Sequence, residues 1–189
     1  MSSSLRKSRQ FPHFDTPAGY DDPVGMFLGC HRRIEKKLGT LRKLRAYISD
    51  KGIDAEASVA AQGVLRYFDA AAAYHHEDEE IDLLPMLKKR VADAGDRERL
   101  HAIRDRLIDE HKEMDRVWTR LRKPLEGIAE GLMRMLPETD VQAFVSLYER
   151  HIKSEESVIV PLAYRWLEGP DLAELGHAMA ARRGAAFPG

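Results

Sequence analysis

Apolar residues in this chain recur at spacings of three and four, the period of a helix with one buried face, and no stretch alternates in the manner of a strand. The first stripe is Val24, Phe27, Leu28, Ile34, Leu38, Leu41, Leu44 and Ile48. Asp22 precedes it as a cap with Pro23 at a first helical position, and "SDKG" closes it, Gly52 suiting the left-handed turn after a helix. Asp54 can cap a second helix from about Ala55 to about Val91. Pro85 predicts a break or kink there, because proline has no amide proton and crowds the preceding turn. "DAGD" is the next stop and start, with Asp96 as cap of a third helix from Arg97 to about Leu136, bent near Pro124 and loosened by Gly127 and Gly131. Pro137 and "ETD" open a fourth helix carrying Val141, Phe144, Val145, Leu147, Tyr148, Ile152, Val158 and Ile159, which "EGPD" closes. A short helix from Asp171 to about Arg182 follows.

Four long helices with short connections predict an all-α fold, an up-down-up-down four-helix bundle with a short C-terminal fifth helix. Helices of about 27 residues reach ~40 Å. The expected organisation is a polar leader over 1–20, the bundle over 21–168, and a short helix and tail over 169–189. A length of 189 residues with 43% hydrophobic content suits one domain with a real core. The 30 basic and 31 acidic residues are interspersed, so neither nucleic acid nor an anionic membrane is implied as a partner. The start is basic but runs into Pro12, His13 and Asp15 rather than an apolar stretch, so a cytoplasmic protein is expected. Cys30 is alone, which excludes an internal disulfide and a CxxC knuckle and suggests a small buried residue.

The chemistry is concentrated in two echoing phrases, "HHEDEEIDLLP" from His75 and "HIKSEESVIVP" from His151, 76 positions apart. Each holds a His, a Glu four residues on, a second Glu directly after it, and a Pro ten residues after the His. Groups four apart project from nearly the same side of a helix, so His75 with Glu79, and His151 with Glu155, can each present a nitrogen and an oxygen to one locus. His31 lies among core-facing positions of the first helix, and His111 is flanked by Leu107, Ile108, Met114 and Trp118 on the third. Buried together without a metal, four His and two Glu would have to satisfy one another, at a cost for each unpaired group. Imidazole with carboxylate suits iron, manganese or zinc, and the lack of thiolates argues against copper(I) and iron–sulfur chemistry. His76 and Glu80 form a competing pair rotated by about 100°; the alignment with the fourth helix favours His75. Glu35, Glu77, Asp115 and Glu156 are further candidates, as ligands or as partners of ligands. His13, His101 and His177 read as surface residues, Tyr74, Tyr148, Trp118 and Phe144 as core, and "RRIEKK" and "KKR" as outward faces.

This arrangement resembles the hemerythrin-like, or HHE cation-binding, family, whose pattern is a His on the first helix, H-x3-E on the second, a His on the third and H-x3-E on the fourth. These positions fall on His31, His75 with Glu79, His111, and His151 with Glu155, and the resemblance covers roughly Asp22 to Leu167. It implies a non-haem centre of two iron ions, oxo- or carboxylate-bridged, with the two Glu between the metals, His at terminal positions and one coordination position open to dioxygen, nitric oxide or peroxide. Zinc or manganese are alternatives, and a monomer or homodimer is expected. Oxygen-carrying hemerythrins have a second His one turn further along the third helix, where this chain has Asp115. They carry the fourth-helix carboxylate as an Asp five residues after the His, where Glu156 stands here. Reversible oxygen carriage is therefore not the expected role. Binding or sensing of oxygen, nitric oxide, peroxide or iron is. A di-iron enzyme consuming peroxide or nitrosyl species, or a structural bundle with a single zinc or no metal, are the alternatives. Ferritin-like di-iron enzymes use E-x-x-H, a different order and spacing.

Overall fold

A computed structural model describes residues 18–133 and 135–187. The described residues are helical with no strand among them, and they form four long helices and a shorter fifth. Helix α1 is Pro23–Lys51, with the Asp22 carboxylate accepting from the Gly25 amide at 3.0 Å and Gly52 at φ 82° ending it. Helix α2 spans 55–90 and is capped by Asp54, which accepts from the Ala57 amide at 2.9 Å. Helix α3 is Ala94–Ala129, α4 spans 138–166 and α5 is Gly169–Arg182. Helix α1 lies against α2 and α4, and α3 lies against the same two, so the four long helices close a ring. All eight apolar residues of the first predicted stripe are buried, as is Cys30.

Four expectations need correction. The cap of α3 is Asp93, whose carboxylate accepts from the Asp96 amide at 3.0 Å. Asp96 is turned to a tertiary task, accepting from the Trp166 indole and from Arg165, both at 2.9 Å. The third helix stops at Ala129, seven residues early, because Gly131 adopts φ 75° and the amides of Leu132 and Met133 fold back onto the Gly127 carbonyl. A Cβ on Gly127 would stand 2.6 Å from Met133 Cβ, so this return requires a glycine. Tyr74, expected in the core, is exposed, with the Arg183 guanidinium 5.5 Å above its ring.

Neither is α2 broken at Pro85. It runs through the proline, and the distortion lies upstream as a widened, π-helical turn at Asp78–Leu83; a second widened turn, at Tyr67–Ala71, has no proline behind it. Helix α4 has the equivalent at Glu155–Ile159, two residues before Pro161. The Leu84 amide donates to the Glu79 carbonyl and the Val160 amide to the Glu155 carbonyl, a reach of five residues instead of four. A proline ring in a regular α-helix would press on the carbonyl one turn back, and widening that turn relieves the clash without ending the helix.

The apolar interior is in two parts. One packs Ile34, Leu38 and Leu41 with Val64, Phe68, Leu121, Leu125, Phe144 and Val145. The other packs Val24 and Phe27 with Leu83, Leu87, Leu107, Ile159, Leu162 and the α5 residues Leu175 and Met179. With ~1.5–3 kcal/mol for each large apolar side chain fully withdrawn from water, the two parts can carry the fold from either side of what separates them. What separates them is polar: His31 falls between Leu28 and Ile34, the 75–79 segment between Ala72 and Leu83, and His111 between Leu107 and Met114. The 151–155 segment stands at the matching place in α4, so every long helix contributes to one buried polar layer.

Helix α5 is tied to this layer. Arg183 donates to both oxygens of buried Asp78 at 3.1 and 2.6 Å, and Arg182 also bonds Asp78 and reaches Asp82 at 2.6 Å. Arg90 holds the other end of α5 through Asp171 at 2.6 Å. No helix among the described residues is long and apolar enough to cross a membrane.

Candidate metal centre

The six inward groups meet in one place. Glu79 Oε1 is 3.0 Å from His75 Nε2, and its Oε2 is 3.0 Å from His111 Nε2. Glu155 repeats the arrangement, with Oε1 3.2 Å from His151 Nε2 and Oε2 3.1 Å from His31 Nε2. Each carboxylate therefore spans from the imidazole one turn back on its own helix to the single imidazole of a neighbouring helix. Two groups of potential donor atoms lie within 4.8 Å of one another, Glu79 with His111, His151 and Glu155, and His31 with His75 and Glu155. Glu155 belongs to both.

All six residues are at most 2% exposed, yet many of their polar atoms are close without being aligned. His31 Nε2, both nitrogens of His75 and both oxygens of Glu79 and of Glu155 make no hydrogen bond of acceptable geometry. Buried polar atoms without partners cost roughly 1–3 kcal/mol each. A cation among them would satisfy the atoms that face the cluster, and nitrogen and carboxylate oxygen without thiolate is a donor set suited to iron, manganese or zinc. The residues present fit a metal.

A second ring of carboxylates stands behind the imidazoles. Glu156 Oε1 is 3.0 Å from His31 Nδ1, Glu80 Oε1 is 2.6 Å from His111 Nδ1, and Glu110 Oε2 is 2.9 Å from His151 Nδ1. Such contacts fix which nitrogen faces inward and raise its basicity. The doubled Glu of each phrase thus has a division of labour: the first points into the layer, the second reaches the outer nitrogen of a His on the next helix. The sequence does not single out Glu110, and it offers Glu80 only as half of a competing pair.

The remaining candidates fall elsewhere. His76 is buried but belongs to neither donor group; its ring stacks on His111 at 4.0 Å and its Nε2 is 3.4 Å from the Tyr148 hydroxyl. Glu35 is exposed and pairs with Arg32 at 2.7 Å, Glu77 meets Arg182 at 3.2 Å, and Asp115 is exposed and outside both groups. His101 and His177 are exposed, and His13 lies outside the described residues. Phe144 and Tyr148 are buried and Trp118 half-buried.

Without a cation the layer is electrostatically divided. Burial pulls His31 down, but Glu155 and Glu156 outweigh it and lift its pKa to about 9. His151 is likewise lifted well above its ordinary value by Glu155 and Glu110 against the cost of burial. His75 is held well below the ordinary range by burial and by neighbouring His31. Burial and the neighbouring Glu155 push the Glu79 carboxyl up, whereas Glu155, despite its burial, is held down by His151 and His31.

Residues 22–163 match the family model described as "Hemerythrin HHE cation binding domain". An uncharacterized protein of Haemophilus influenzae is 27% identical over 166 residues, which is 88% of this chain and 92% of its own length.

Proposed function

Because the chain belongs to the hemerythrin HHE cation-binding domain family, we propose that it is a di-iron protein that binds or senses oxygen, nitric oxide, peroxide or iron. The proposed ligands are His31, His75, Glu79, His111, His151 and Glu155, on an up-down-up-down bundle. Iron held there would supply redox chemistry and a place for a small molecule to bind. The observation that carries the reading is that both carboxylates reach an imidazole with each oxygen, and that one of them, Glu155, belongs to both donor groups. The protein's own contribution is to hold three of the imidazoles, His31, His111 and His151, with Nε2 inward, by Glu156, Glu80 and Glu110, and to exclude water by the apolar parts on either side. We read the protein as cytoplasmic, monomeric or homodimeric, with no nucleic-acid or membrane partner.

A second reading, an enzyme consuming peroxide or nitrosyl species, is favoured by one feature. Carboxylates on the outer nitrogens of three imidazoles lend them anionic character, which stabilises a more oxidised metal and favours redox turnover over reversible binding.

Elemental analysis of protein purified anaerobically without added metal tests the iron reading. Two irons per chain, lost in His75→Ala with helicity retained by circular dichroism and kept in His76→Ala, is the expected result. Substoichiometric metal with an unchanged melting temperature after chelation would favour a structural bundle instead. Turnover of peroxide by the loaded protein would promote the enzyme.

A further inference from the structure

Among the described residues, two buried rings that carry a polar atom belong to neither donor group, His76 and Tyr148. A leucine and a phenylalanine would fill their places without the cost of withdrawing a polar group from water. They stand at the head of a column of rings. His76 lies 4.0 Å from His111 between ring centroids, at 13° to it, and Tyr148 lies 5.9 Å from His76 at 22°. Phe144 follows at 5.0 Å from Tyr148, and Trp118 stacks on Phe144 at 5.6 Å. Phe68 flanks the same step, 5.6 Å from Tyr148 and 5.2 Å from Trp118. The column reaches the surface: the Trp118 indole donates to Asp69 at 3.0 Å, and Asp69 pairs with the half-exposed Arg122, also at 3.0 Å.

Phenol and indole lose one electron far more readily than phenylalanine, so the two phenylalanines can only bridge, whereas the tyrosine and the tryptophan can hold a charge. Tyr148 must also release its hydroxyl proton when oxidised, and His76 Nε2 at 3.4 Å is placed to take it. We propose that this column is a one-electron relay between the metal layer and the surface, with Tyr148 and Trp118 as its stations and hydrogen peroxide as the oxidant. The relay rests on the iron reading above and gives it a direction.

The step balances as follows. With iron held by the proposed ligands and oxidised by peroxide, Tyr148 would give up one electron toward the layer as its phenol O–H bond breaks and the proton crosses to His76 Nε2. An electron from Trp118 refills the phenoxyl, the proton returns from His76 and the O–H bond re-forms. The indole is then refilled at the surface by an external one-electron donor of the ascorbate class. Two such passages, with two protons released by the donor as it is oxidised, reduce one hydrogen peroxide to two waters.

The test is to mix the iron-loaded full-length protein with hydrogen peroxide, freeze-quench it and record its electron paramagnetic resonance. An organic radical is expected that narrows when ring-deuterated tyrosine is incorporated and is absent from Tyr148→Phe at equal iron content. In Trp118→Phe the Tyr148 radical should form, but its decay under ascorbate should slow about tenfold, equivalent to ~1.4 kcal/mol of added barrier. A fully iron-loaded protein with no radical, or with a radical that survives Tyr148→Phe, overturns the relay and leaves the iron reading standing. A protein that takes up no iron overturns both.

Discussion

The two echoing segments, 75–85 on α2 and 151–161 on α4, share a backbone and differ in charge. Both carry a widened turn that begins at or just before the inward Glu and ends two residues before a proline. Both send their first Glu into the layer and their second to a neighbouring helix. Yet Glu79 is pushed toward its neutral form by burial and by Glu155, while Glu155 is held ionised, against its own burial, by His151 and His31. His151 has Glu110 behind its outer nitrogen, whereas the outer nitrogen of His75 makes no hydrogen bond. The residue before the inward Glu differs as well. On α2 it is buried Asp78, clamped by Arg182 and Arg183, and on α4 it is Ser154, touched by Arg106 at 3.0 Å. Repeated sequence produces repeated local form, and the unrepeated neighbours then decide what each copy does electrostatically.

The sharpest way to break the comparison is to remove each inward carboxylate in turn. Glu155 belongs to both donor groups and Glu79 to one. Glu155→Ala should abolish metal uptake altogether, whereas Glu79→Ala should leave a measurable fraction bound near His31 and His75. Metal content by mass spectrometry, read beside circular dichroism to confirm that both variants stay helical, checks this. Equal losses would mean that the carboxylates are interchangeable and that the electrostatic asymmetry has no consequence for loading.

A smaller but still large effect is expected from the α5 clamp. Arg182→Ala with Arg183→Ala leaves the Asp78 carboxylate buried at 1% exposure with neither arginine, and an uncompensated buried charge costs ~3–5 kcal/mol. The corresponding change on α4, Arg106→Ala, removes a contact between partly exposed groups and should cost no more than ~1 kcal/mol. Urea unfolding midpoints measure both, and similar values for the two variants would show that α5 does not brace the second helix.

Much of this was legible in the chain. The six inward groups could be picked out because a His and a Glu four apart must share a helix face, and because His31 and His111 sit where the stripe demands an apolar residue. The widened turns left a trace too, the proline ten residues after each His, though its local signature reads as a kink and only the completed hydrogen bonds show a wider turn. The outer ring was harder. The doubled Glu is visible, but which His each second Glu meets depends on the neighbouring helix, and nothing marks Glu110 as different from any acidic residue beside a His. Asp93 and Asp96 are equally good caps on paper; Trp166 and Arg165, 70 residues away in the indole's case, decide between them. Tyr74 has core spacing, and only the position of Arg183 shows that its ring lies outside.

pH separates the two segments by a change of slope. In the metal-free protein His31 is lifted to about 9 and His151 well above its ordinary value, so each contributes stability that is full below about pH 6.5, the unfolded value, and is lost as pH rises through the folded one. Metal uptake must expel those protons, so affinity should move the other way and climb with pH across the same window. Proton release on titrating ferrous iron into the metal-free protein, measured in two buffers of different ionisation enthalpy, should fall in Glu156→Gln, which removes one of the carboxylates holding the His31 proton. It should change less in Glu80→Gln, since the His111 pKa is raised chiefly by Glu79 against burial. Equal release in all three proteins would mean that the second Glu of each phrase does not govern protonation.

The smallest expected effect concerns the prolines, and it asks what holds the widened turns open. Alanine at either position restores an amide that could complete a regular turn, removing the clash that favours the wide one. At Pro85 the turn is also held from outside, through Asp78 and Asp82 on the α5 arginines, so Pro85→Ala should leave both metal content and the unfolding midpoint nearly unchanged. The turn at Glu155–Ile159 is held from outside through Glu156, whose partner Arg32 is exposed where the α5 arginines are largely covered, and Pro161→Ala should let it tighten for part of the time, swinging Glu155 away from His31. A loss of a fewfold in metal affinity with less than ~1 kcal/mol of change in global stability is the expected outcome. The reverse ranking, with Pro85→Ala the more damaging, would mean that proline rather than the arginine clamp shapes the second helix, and that the two copies are more alike than their surroundings suggest.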